Sequence, residues 1–236
     1  MRTILISGAS RGIGKSIAER CLNDGHNVSI GLRDLNSVKG SNLDEQNNKN
    51  KKILVNQYDA KSTKKAQAWV ENTKKCFGKI DTVIHCAGIF KRTNLNFECG
   101  EEKDINELLQ VNLMGPWILT RAAWRYLIEN NNSRIIVLVS MSGKRSKSSL
   151  AGYTASKFAL MGLCQTIRNE GWAEGIRTTA ICPGWVNTDM SNEIVTMERK
   201  NLTQPHDIAS IVSNLLELPN SCIPFEIPIN CNLEKI

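Results

Sequence analysis

Apolar positions along the chain fall into short unbroken runs separated by longer stretches with helical spacing, and the two kinds alternate from end to end. Residues 3–7, 27–32, 53–57, 82–85, 134–139, 177–182 and, more weakly, 225–229 read as strands. Residues 13–23, 63–77, 105–129, 152–174 and 205–218 carry the helical pattern. Several strand runs are apolar throughout, as happens when helices cover both faces of a sheet. No segment repeats. The alternation predicts an α/β fold: a doubly wound parallel sheet in three layers, helices over sheet over helices, as a single domain spanning residues 1–236. Ligands of such sheets bind beyond the carboxyl ends of the strands, so chemistry is sought in the residues that follow each run.

After the first run comes Ser7-Gly8-Ala9-Ser10-Arg11-Gly12-Ile13-Gly14, opening directly into a helical pattern. Glycines there allow a tight turn and let backbone N–H groups approach a pyrophosphate at a helix N-terminus, where the dipole favours negative charge. After the second run the chain reads Leu32-Arg33-Asp34. A carboxylate at that place binds the ribose hydroxyl of NAD, whereas a cation pairs with the extra phosphate of NADP. Arg33 argues for NADP, and Asp34 keeps NAD open. Ser140 ends the fifth run. Tyr153 and Lys157 follow four residues apart in a helical pattern, so they share one helix face. An ammonium beside a phenol stabilises the phenolate and lowers its proton affinity.

The Gly-x3-Gly-x-Gly turn, Ser140 and Tyr153-x3-Lys157, in this order, resemble the single-domain short-chain dehydrogenase/reductase family, with Ser7 in the usual threonine place. The resemblance covers the chain from Thr3 to about Met190 and implies a Rossmann-type nucleotide-binding fold. It also implies a catalytic set of Asn112, Ser140, Tyr153 and Lys157, with Tyr153 as general acid/base, Ser140 polarising the substrate oxygen, and Asn112 holding a water that links Lys157 to solvent. The implied NADP(H) site, with NAD(H) as a second possibility, is built from Gly8, Ser10, Arg11, Gly12, Ile13, Gly14, Arg33, Asp59, Ala87, Gly88, Tyr153, Lys157, Pro183, Gly184, Val186 and Thr188. Within it Arg11 joins Arg33 at the extra phosphate, Asp59 meets the adenine, and Val186 with Thr188 orients the nicotinamide. Residues 190–203 are expected to form a mobile substrate lid. His85 and Cys86 depart from the family's Asn-Asn; His85, at a strand end with no partner in view, reads as structural.

Composition narrows the function further. Lys plus Arg exceeds Asp plus Glu by 30 − 23 = 7, partly in the polar stretch 40–52, which lacks interleaved aromatics and reads as a solvated loop, not a nucleic-acid site. The eight cysteines are scattered, without a Cys-x-x-Cys pair or a nearby His, so reduced thiols and no metal site are expected. No apolar run approaches the roughly 20 residues of a membrane helix, and the first strand begins almost at Met1. These features read as a cytoplasmic protein with a small carbonyl or alcohol substrate and no nucleic-acid or membrane partner. The resemblance implies a homodimer or homotetramer, although the ending 225–230 lacks the family's Gly-Gly strand. The alternative is a non-enzymatic NADP-binding regulator or redox sensor on the same fold.

Overall fold

Seven strands, β1 (Thr3–Ser7), β2 (Asn27–Leu32), β3 (Ile53–Gln57), β4 (Thr82–His85), β5 (Ser133–Leu138), β6 (Ile176–Pro183) and β7 (Glu226–Ile229), form one sheet among the described residues. Its order is β3-β2-β1-β4-β5-β6-β7, and every neighbouring pair is parallel. The helices α1 (Gly12–Asn23), α2 (Thr63–Phe77), α3 (Glu102–Leu109), α4 (Gly115–Ile128), α5 (Ala151–Gly171) and α6 (Pro205–Glu217) cover its faces. The computed structural model describes residues 1–48, 51–192 and 198–231. This is the doubly wound Rossmann-type arrangement that the alternation predicts.

Every residue of β1, β4 and β5 is buried, because apolar layers meet the sheet from both sides. One layer sets Trp69, Leu119 and Leu160 of α2, α4 and α5 against Leu5, Val83 and Ile135. The other sets Ile17 of α1 and Ile208 and Val212 of α6 against Ile4, Ile6 and Ile136. Each such side chain contributes about 1.5–3 kcal/mol of burial, which is why the strands read as continuous apolar runs. Local signals then set the ends. The Ser62 hydroxyl accepts the Lys65 N–H at 3.3 Å to start α2, and Gly78 closes it at φ +76.

The chain departs from its pattern in two places. Residues 105–129 are not one helix: α3 starts earlier, at Glu102, and a π-helical turn at Gln110–Met114 separates it from α4. There the Gly115 N–H donates to the Gln110 carbonyl, one residue farther back than α-helical bonding reaches. The C-terminal run, despite its departure from the family pattern, forms β7 as a parallel edge strand on β6. Pro228 is tolerated because an edge strand has one side free of ladder bonds. Smaller shifts move β5 one residue earlier and widen β6.

Successive strands wind outward in opposite directions from β1 and β4, so the loops leaving these two neighbours diverge and open a crevice at their carboxyl ends. Among the described residues no helix is long and apolar enough to cross a membrane.

Candidate active site

At the crevice, the Ser7 hydroxyl accepts the N–H groups of both Cys86 and Ala87 at 3.2 Å, tying the end of β1 to the end of β4. Gly8 sits at φ +72, and a Cβ there would lie 2.6 Å from the Ala87 nitrogen; one on Gly14 would lie 2.4 Å from the Gly8 oxygen. The turn is thus packed backbone to backbone. Arg11, at the start of α1, makes no side-chain cap, and the first turn holds no acid. Its N–H groups and the positive end of the dipole therefore remain available to an anion, which fits a pyrophosphate.

Gly8, Ser10, Arg11, Arg33, Asp59 and Ala87 border a pocket of about 940 Å3, open to solvent. Asp34, the acid that keeps NAD open, caps the short 3-10 turn at Leu35–Val38, its carboxylate accepting the Asn36 N–H at 2.9 Å. Arg11 reaches across the crevice to Asp189 at 3.0 Å, with both side chains largely exposed. A second cleft, about 920 Å3, adjoins the first at Cys86, Gly88 and Ile89. Ser140, Tyr153 and Lys157 line it together with Ile13, Pro183, Gly184, Val186 and Thr188.

The residues expected to react are set by two elements. Ser140 caps a 3-10 turn at Met141–Gly143, its oxygen accepting the Ser142 N–H at 3.0 Å. From α5 come Tyr153 and Lys157, only 7% and 6% exposed. Phe90 meets the Tyr153 ring edge-on at 4.9 Å. The Lys157 ammonium donates to the Leu138 carbonyl at 3.1 Å and stands 5.8 Å from the Tyr153 ring centre. Burial pushes the Tyr153 phenol up to about 12, opposed by its bond with Ser140, and pulls Lys157 down to about 8. In this structure burial outweighs the lowering of the Tyr153 proton affinity that is expected from Lys157.

The signature of the family described as short chain dehydrogenase matches residues 2–199. The chain belongs to that family. Agropine synthesis reductase of Rhizobium rhizogenes is 34% identical over 99% of this short-chain dehydrogenase and 53% of its own length. A second protein of that name and organism matches similarly, so the chain spans about half the length of these curated relatives. Oxidoreductase UcpA of Salmonella typhimurium is 28% identical over 96% of the chain and 84% of its own. In fold, it resembles an alcohol dehydrogenase from the archaeon Thermococcus sibiricus complexed with 5-hydroxy-NADP, with TM-score 0.89 at 24% identity, covering 100% of this chain and 99% of that one.

Gly12, Gly14 and Asn112 of this short-chain dehydrogenase border neither cleft. Gly12 faces Thr188, whose methyl would lie 3.2 Å from an added Cβ. Asn112, in the π turn and 1% exposed, accepts the Ile89 N–H at 2.9 Å and donates to the Ile89 carbonyl at 3.0 Å and the Ser156 hydroxyl at 3.1 Å. Both ends of its amide are engaged in holding the loop that borders both clefts. His85 lies 2.9 Å from the Thr120 hydroxyl, and burial lowers it to about 3, keeping it neutral. Of the expected lid, residues 193–197 lie outside the described residues; Arg199 beyond them donates to Asn187, Asn192 and the Thr188 carbonyl at 2.7–2.8 Å.

Sequence reasoning missed Arg145, Lys147 and Trp185, which line the second cleft, and Asp189, which holds Arg11. The signal for the first two was available: cations placed in the short stretch between Ser140 and Tyr153.

Proposed function

We propose that the protein is an NADP(H)-dependent oxidoreductase, moving a hydride between the nicotinamide ring and a carbonyl or alcohol carbon of a small substrate. The observation that carries this reading is the convergence of Ser140, Tyr153 and Lys157 in one cleft adjoining an uncapped helix N-terminus. With its pyrophosphate at α1, the cofactor would supply or accept the hydride. Gly8, Ser10, Gly12, Ile13 and Gly14 form the cradle, Asp59, Ala87 and Gly88 flank the adenosine side, and Pro183, Gly184, Val186 and Thr188 the reacting end.

Tyr153 keeps its proton to about 12, so at neutral pH it is an acid ready to protonate a carbonyl oxygen as negative charge gathers there. Ser140 accepts the Ser142 N–H, and its own O–H, bonded to Tyr153 here, would turn to donate to that oxygen when substrate binds. Lys157, charged below about 8, offsets the charge left on the phenolate once the proton has gone. Asn112 positions Ile89 and, through Ser156, the Tyr153 backbone, since the Ser156 hydroxyl donates to the Tyr153 carbonyl at 2.7 Å.

The preference for NADP rests on Arg11 and Arg33 at the adenosine pocket and on Asp34 being engaged as a cap. NAD(H) is the secondary cofactor. The reductase name of the Rhizobium relative supports the direction toward reduction. We read residues 1–236 as one nucleotide-binding domain. Eight unpaired cysteines support a reducing, cytoplasmic setting, and Trp117 and Phe158, 51% and 46% exposed on α4 and α5, support a homodimer or homotetramer.

The test is NADPH oxidation with a panel of ketones, aldehydes and quinones. Tyr153→Phe should lower turnover by about 10²- to 10⁴-fold while NADPH still binds. Full turnover in that variant refutes the assignment. NADPH binding by the parent with turnover of no panel member favours the non-enzymatic regulator.

A further inference from the structure

Among the described residues, the charged side chains that line the cleft of Ser140 and Tyr153 are all cations. Besides Lys157, it is lined by Arg145 and Lys147, and among the described residues no Asp or Glu lines it. The rest of the wall is largely apolar, with Phe90, Met141, Leu150, Trp185 and Met190. Arg145 is anchored close to the chemistry: its N–H donates to the Met141 carbonyl at 3.0 Å, within the turn that Ser140 caps. Its side chain is half-buried, with Nε shielded from solvent. Lys147 places its ammonium 5.7 Å from the Trp185 ring centre, so an aromatic wall guides this cation along the cleft. Their neighbour Lys144 is paired with Glu226.

Cations beside apolar walls act in a medium less polarisable than water, where a charge-assisted bond to an oxyanion is stronger than at the open surface. A neutral carbonyl compound gains nothing from them. Arg145 and Lys147 each have another interaction in the folded protein, but a guanidinium and an ammonium carry several donors and can take an oxyanion alongside or in exchange.

We propose that the substrate carries an oxyanionic group, a carboxylate or a phosphate, which Arg145 and Lys147 bind while its carbonyl faces Ser140 and Tyr153. This rests on the oxidoreductase reading above and assigns its substrate class. Arg145 and Lys147 are specificity residues: they select which carbonyl compound is turned over and take no part in proton transfer.

Matched pairs test it: 2-oxo and 4-oxo acids against their methyl esters, and dihydroxyacetone phosphate against dihydroxyacetone, each with NADPH and the full chain. At least one anionic member should exceed its neutral partner in kcat/KM by about 10- to 100-fold, the range of a charge-assisted contact. Whether the carboxylate or the phosphate pair shows the larger ratio identifies the group. Arg145→Met should bring that ratio toward unity mainly through KM, and Lys147→Met, at an exposed position that leaves the core untouched, should lower it less. Neutral members reduced as well as anionic ones, or both variants keeping the parental ratio, overturns this proposal alone. No NADPH oxidation with any carbonyl compound overturns the oxidoreductase reading together with it.

Discussion

Replacing Asn112 with alanine removes three hydrogen bonds at a site that is 1% exposed: one from the Ile89 N–H, one to the Ile89 carbonyl and one to Ser156. Each bond contributes about 1 kcal/mol net, and the Ile89 groups left behind lose their partner in a part-buried place, so the sum is roughly 2–4 kcal/mol. For a chain of this size that corresponds to about 5–15 °C in Tm, measurable by circular dichroism or differential scanning fluorimetry. The same change frees the loop bordering both clefts, so kcat/KM should fall together with stability. Asn112→Asp keeps the acceptor for the Ile89 N–H but sets a carboxylate against the Ile89 carbonyl, and should be at least as damaging despite its shape. An alanine variant melting within about 1 °C of the parent, with unchanged turnover, would refute the view that this amide holds the loop.

Arg33→Ala should raise the KM for NADPH by about 10- to 100-fold and leave that for NADH nearly unchanged, because only the extra phosphate loses a charge-assisted partner; equal effects on both would count against the assignment. Gly14→Ala forces a Cβ to within 2.4 Å of the Gly8 oxygen and 3.1 Å of the Cys86 side chain, so the turn must move. That variant should lose about 1–3 kcal/mol of stability and bind NADPH weakly in a fluorescence titration, whereas parental affinity would show that the turn yields easily. Lys157 has a folded value of about 8, below its ordinary 10.5, so the unfolded chain binds more protons between those limits. Its contribution therefore makes stability rise across pH 8–10.5 by up to about 1.4 kcal/mol per pH unit, while reductive turnover falls as its charge is lost. Chemical denaturation of the parent and Lys157→Met across that range, beside a pH–rate profile, checks both signs; parallel stability curves would refute the buried cation.

The residue pattern alone determined where β2, β3, β4 and α2 begin and end and that the sheet is parallel, because covering both strand faces leaves a continuous apolar run that no other arrangement requires. It also placed the glycine turn and the four-residue spacing of Tyr153 and Lys157, whose geometry is set by the local helix and by backbone sterics. Tertiary structure alone decided the rest. Asn112 finds Ile89 across 23 residues and Arg11 finds Asp189 across 178, pairings that no local period encodes. The π turn slips the helix by one residue where Asn112 sits, while apolar positions on either side keep a period close to helical. Tyr153 and Lys157 are adjacent in any helix, but which of them shifts, and in which direction, depends on how much water the surrounding elements exclude, and that is a property of the packed whole.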